Sequence, residues 1–200
     1  MTTISHPENV PPNVFTQDEL GWVPWLEPLT EAELTDRHRA GLVDASRSKS
    51  PYFMLLARDP EVLEARTKAD KDIFYNPNGG LPRAERELSA TATSRHNGCI
   101  FCASVHSRFA STHSKRRDDV QRLLDEGLGA DLCERWNAVK NAAVVLTDTP
   151  SAFGSNEIDA LRAAGLDDFE ITDVISTSAF FNWANRLMLS LGEPVPAKAG

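Results

Sequence analysis

Three observations predict an all-α protein. Apolar residues recur at helical spacing through most of the chain, and almost no stretch alternates with period two over a useful length. The periodic segments are also punctuated by proline, glycine and asparagine breaks rather than by hairpin turns. With 200 residues and 41% hydrophobic content, the chain can bury a real core as one domain.

Residues 1–28 carry Pro7, Pro11, Pro12, Pro24 and Pro28 together with Trp22 and Trp25. They predict an extended, irregular arm whose tryptophans lie on their own domain or on a neighbouring subunit. Residues 29–200 then form a single helical domain. Thr30-Glu31-Ala32-Glu33 has the form of a capping box and predicts a short helix to about Ala40. Ser50-Pro51 precedes the apolar run Tyr52 to Ala57, a buried helix. Asp59-Pro60-Glu61 reads as an N-cap followed by proline at the first helical position, opening a helix through Leu63, Ala65, Ala69 and Ile73.

Asn76-Pro77-Asn78-Gly79-Gly80 is the clearest loop, and Pro82 restarts helix with Ala84, Leu88, Thr91 and Ala92 on its packed side. Asn97-Gly98 breaks that helix, with Gly98 suited to ending it and Asn97 to capping the next. Helices follow from about Cys99, from Asp118 to Glu126, and over residues 132 to 147 with Trp136, Val139, Ala143 and Leu146 in phase. Ser155 caps a short helix ending at Gly165. Asp167 with Glu170 caps the last one, whose Val174, Phe181, Ala184, Met188 and Leu191 predict extensive burial.

The net charge of −8 argues against nucleic-acid or anionic-membrane partners, and no basic cluster exceeds Lys115-Arg116-Arg117. The first residues form no secretory signal, and no apolar run approaches the roughly 20 residues of a membrane span. A cytoplasmic protein is expected. Cys99, Cys102 and Cys133 make no disulfide framework, and in a reducing compartment a C-x-x-C pair is a redox or metal site. Cys133 reads as a small buried hydrophobe.

Cys99, Cys102 and His106 form C-x-x-C-x-x-x-H, and on a helix these offsets bring all three side chains to one face. The first turn would favour a thiolate at Cys99, while Cys102 has His106 four residues on. If the helices flanking Asn97-Gly98 form a hairpin, Glu87 or Glu85 comes level with His106 within about one turn. Either carboxylate would orient the imidazole, which could then take a proton from a cysteine or a bound water. Spacing alone does not choose between the two glutamates.

Glu87, eleven intervening residues, then Cys99, Cys102 and His106 resembles the E-x(11)-C-x-x-C-x-x-x-H signature of the alkylhydroperoxidase D-like (AhpD-like) family, within the carboxymuconolactone decarboxylase superfamily. Leu81 to Glu87 resembles the approach to that family's glutamate, and Phe181 to Leu187 resembles its C-terminal helix. The resemblance spans roughly residues 50 to 190. It implies an AhpD-like helical bundle, an obligate homo-oligomer (trimer or hexamer), and a thiol-dependent hydroperoxidase. Carried over by position, Cys102 would attack the peroxide, Cys99 would resolve the sulfenic acid to a disulfide, and Glu87 with His106 would relay protons. A hydroperoxide substrate and a lipoyl-bearing or thioredoxin-like dithiol donor are implied as partners.

Phe101 stands where characterised family peroxidases carry a second histidine. His96 could substitute spatially, although a polar helix-end role is preferred. Asn182 and Arg186 are read as tying the last helix to a neighbour. The chain has no G-x-G-x-x-G fingerprint, and no cofactor is expected. Two rival readings remain at the same cluster: a zinc-dependent enzyme with Glu87 or water as fourth ligand, and a non-catalytic oligomeric binding scaffold. A decarboxylase is disfavoured, because those superfamily members generally lack the paired cysteines.

Overall fold

A computed structural model describes residues 3–196. Nine α-helices occur among them: α1 (Asp36–Leu42), α2 (Pro51–Leu56), α3 (Pro60–Tyr75), α4 (Arg83–His96), α5 (Ile100–Ser114), α6 (Arg117–Glu126), α7 (Glu134–Thr147), α8 (Ser155–Ala163) and α9 (Asp168–Leu191). Asp59 and Asp167 cap α3 and α9 with their carboxylates, as their sequence context predicts.

Helix α4 is the centre of the bundle. It forms a hairpin with α5 and packs against α7 and α9, so most of its circumference is enclosed. Leu88, Val139, Leu161 and Val174 meet fully buried in the main core. A second cluster joins Trp22, Tyr52 and Met188 to Cys99 and Cys102. The cysteines are therefore held inside apolar packing contributed by α2, α5, α9 and the N-terminal arm.

Three local readings change. The arm is not wholly irregular: β1 (Gly21–Pro24) pairs antiparallel with β2 (Gly192–Val195), with Gly21 opposite Val195. This small sheet seats Trp22 over the cysteine cluster, so the arm lies on its own domain. The capping box at Thr30 is real, but it closes only a 3-10 turn (Glu31–Glu33). Leu34 turns extended to bury its side chain, and α1 starts afresh from a Thr35 cap. Cys133 is exposed rather than buried, because it is the N-cap of α7 and not part of its packed face.

Candidate active site

The turn between α4 and α5 positions both thiols. Gly98 takes φ +75°, a left-handed conformation that favours glycine. The Cys99 amide then donates to the Ser94 carbonyl (2.9 Å) and the Gly98 amide to that of Arg95 (3.3 Å), a Schellman closure of α4. Asn97 does not cap α5. Its Nδ2 donates across to Oδ1 of Asn182 and of Asn185 on α9, each at 3.1 Å. Asn185 is fully buried and passes the contact on, donating to Ser94 Oγ at 3.0 Å.

Cys99 is the N-cap of α5, one residue before its first turn, and Cys102 lies in that turn. The reading that made Cys99 the better thiolate is therefore reversed. Donation of its hydrogen bond to Cys102, reinforced by burial, pushes the Cys99 thiol well above the usual cysteine range. The same hydrogen bond holds Cys102 below it, against burial and with help from the charge of His106 and a hydrogen bond from Asn185. Asn185 was missed in the sequence. Its signal is an amide at helical spacing from Phe181 and Met188, where an apolar residue is the norm.

Of the two candidate carboxylates, Glu87 faces His106: His106 Nδ1 lies 2.6 Å from Glu87 Oε2. Glu87 is wholly buried, and Arg83, one turn earlier, donates Nε to its Oε1 at 2.6 Å. A carboxylate accepts, so the Glu87 contact places a proton on Nδ1 and leaves Nε2 as the ring nitrogen turned away from Glu87. The ring is fixed by Phe74 stacked at 5.2 Å and Phe181 edge-on at 4.2 Å between centroids. Glu85 points elsewhere, into an ion pair with Arg135 that also includes Glu170. Arg83 was legible only as an i,i+4 partner of Glu87.

A cavity of about 550 Å³ opens onto this cluster. Cys102, His106 and Glu87 line it, and Cys99 does not. Phe101 lines it too, so the position of the expected second histidine is an apolar wall. His96 is outside the cavity and pairs through Nε2 with Asp148 at 2.7 Å, the helix-end role. Among the described residues, no three His, Cys, Asp or Glu side chains converge as a metal ion would require.

The carboxymuconolactone decarboxylase family model matches residues 60–148, the stretch that holds Glu87, both buried cysteines and His106. Over that stretch the chain is similar to the carboxymuconolactone decarboxylase family. Its fold is that of the alkylhydroperoxidase AhpD core of an uncharacterized peroxidase-related protein from Ralstonia eutropha JMP134. That likeness has a TM-score of 0.72 at 24% identity, over 84% of this chain and 90% of the other. A peroxidase-related protein from Silicibacter sp. TM1040 is similar at TM-score 0.70 and 22% identity, with 84% and 90% covered. The debrominase Bmp8 shares the fold at TM-score 0.66 and 17% identity, with 82% and 88% covered. No curated protein matches the chain in sequence. The fold is shared by proteins of different named activities, so the function of this chain rests on its site.

Proposed function

We propose that this protein is a thiol-dependent hydroperoxide reductase with Cys102 as the attacking thiol. The observation that carries this reading is the asymmetry of the pair. Cys102 faces the cavity beside His106 and is held toward the thiolate, while Cys99 sits behind it as a proton-bearing thiol.

His106 Nε2 takes the Cys102 proton, and Glu87, through Nδ1, keeps the ring oriented and balances the imidazolium. The Cys102 sulfur attacks the terminal oxygen of ROOH. An S–O bond forms, the O–O bond breaks, and the leaving RO⁻ takes the proton from His106 as ROH. Cys102 is left as a sulfenic acid. Cys99 then attacks that sulfur, and hydroxide leaves with the Cys99 proton as water, giving the Cys99–Cys102 disulfide. A lipoyl or thioredoxin-like dithiol reduces it by exchange and is itself oxidised to a disulfide.

In this reading the chain works as a homo-oligomer, a trimer or hexamer. The exposed Phe169, Trp183 and Leu189 of α9 supply apolar area for subunit contacts.

The test is trapping. The Cys99→Ser variant keeps a hydroxyl donor beside Cys102 but cannot close a disulfide. Treated with cumene hydroperoxide and then dimedone, it should carry the adduct on Cys102. Absence of label on Cys102 would contradict the assignment.

A further inference from the structure

Four buried side-chain polar atoms lack a hydrogen-bond partner among the described residues. Three of them, Arg66 Nε and Nη1 and Trp22 Nε1, belong to residues that line the cavity. All three are N–H donors. A buried donor without an acceptor is costly and rare in a folded protein, so three on residues that line one cavity call for acceptors.

The charge points the same way. Arg66 is only 9% exposed, on the α3 face it shares with Leu63 and Thr67. Its nearest carboxylate, Asp70, lies 3.8 Å from Nη1, beyond hydrogen-bond reach, and Arg47 approaches the same oxygen at 3.6 Å. Two guanidinium groups thus share one carboxylate and Lys49 adds a further positive charge, while the other carboxylates of the lining, Glu19 and Glu87, are paired with Arg108 and Arg83. Tyr52, which also lines the cavity beside Arg66, offers a neutral hydroxyl and no counter-charge: burial pushes its phenol up to about 12. Arg83, also in the lining, is different in kind, because it is matched by Glu87.

Between these poles the walls are aromatic. Phe53, Phe74, Phe101, Phe109 and Phe181 line the cavity, and Arg66 lies 5.5 Å over the Phe53 ring and 5.4 Å over that of Phe180. A guanidinium is a planar fork of N–H donors, the geometry that suits recognition of a carboxylate. Arg66 is also close enough to Cys102 for its charge to favour the thiolate.

We propose that the cavity selects an organic carboxylate: a compact apolar or aryl body against the phenylalanines, and a carboxylate on the orphaned N–H groups of Arg66 and Trp22. This deepens the hydroperoxide-reductase reading and depends on it only for the reactive end of the molecule, which would meet Cys102. A substrate hydroperoxide would then carry a carboxylate at its far end, and neutral peroxides such as cumene hydroperoxide would be poorer surrogates.

The test separates binding from chemistry. Affinities of the full chain for 4-isopropylbenzoate and for the neutral 4-isopropylbenzamide are measured by calorimetry, neither probe bearing a peroxide. The wild type should favour the carboxylate by about 10-fold or more, and Arg66→Met should remove that preference while Trp22→Phe reduces it. Equal affinity of the wild type for the two probes, a comparison that needs no variant, would overturn the proposal. So would an undiminished preference in folded Arg66→Met. Turnover of cumene hydroperoxide and its para-carboxylated analogue is measured in parallel. If neither is consumed while the binding preference holds, the reductase reading fails and the carboxylate site stands. If both are consumed with equal kcat/KM and no binding preference exists, the reductase reading stands and the carboxylate site fails.

Discussion

Cys99 and Cys102 pack in one buried cluster, and the interaction of their thiols raises the pKa of Cys99 and lowers that of Cys102, giving a proton-bearing thiol and a thiolate-prone one. Both sulfurs are buried, so the difference between them comes from their partners and not from access to solvent.

Selective alkylation follows. A group whose pKa is lowered reacts as an anion down to a lower pH, and loses reactivity only as pH falls through that lowered value. At neutral pH, iodoacetamide should therefore modify Cys102 before Cys99, as peptide mapping would read. In Cys99→Ala the largest favourable contact of the Cys102 thiolate is gone, so the pH profile of Cys102 alkylation should move to higher pH. An unchanged profile would show that Cys99 does not tune its neighbour.

Glu87→Gln replaces a carboxylate by an isosteric amide that cannot balance an imidazolium. Peroxide consumption should fall by about 100-fold, the lower range for loss of acid–base assistance, with the fold retained by circular dichroism. Glu87→Ala should in addition cost about 3 kcal/mol of stability in a denaturant titration, because Arg83 and His106 lose their shared partner in a buried site.

Asn185 links the turn before the cysteines to α9 through Asn97 and Ser94. Asn185→Ala leaves those buried groups short of partners and should cost about 2 kcal/mol, seen as a lower Tm. It should also shift Cys102 alkylation to higher pH, since the Asn185 hydrogen bond favours its thiolate. A variant changed in stability alone would assign Asn185 a purely structural role.

Gly98→Ala isolates the backbone contribution. A Cβ there meets nothing within 4 Å, so the expected loss of about 1 kcal/mol reflects only its φ of +75°. Chemical denaturation measures it directly.

Much of this architecture is legible in the sequence because it rests on local chemistry. Asp59-Pro60 and the Asp167/Glu170 box start α3 and α9 through capping hydrogen bonds within a few residues, and Gly98 ends α4 through its own φ. Spacing also brings one of Glu85 and Glu87 level with His106 and sets Cys102 on the same face, because a hairpin of two helices fixes their heights. What it does not supply is helix rotation, which decides between Glu85 and Glu87 only when Arg135 and His106 arrive from other helices.

The order of acidity of the two thiols was misread for a related reason. The dipole argument considers only the field of the α5 turn, whereas the difference comes from the interaction of Cys99 with Cys102 and from the charge of His106 at Cys102. Thr30 shows the limit of capping signals: its box forms, but burial of Leu34 ends the turn before a helix can propagate. Pairing of β1 with β2 joins residues more than 160 positions apart, and no local pattern announces it.

The most direct test is the mass of the intact protein before and after one equivalent of cumene hydroperoxide, with free thiols alkylated and mapped. Loss of alkylation at Cys99 and Cys102 together, with Cys133 still labelled and both sites restored by a dithiol, is the predicted result. Full alkylation of Cys99 and Cys102 after peroxide would contradict a redox disulfide at this site and, with it, the proposed reaction.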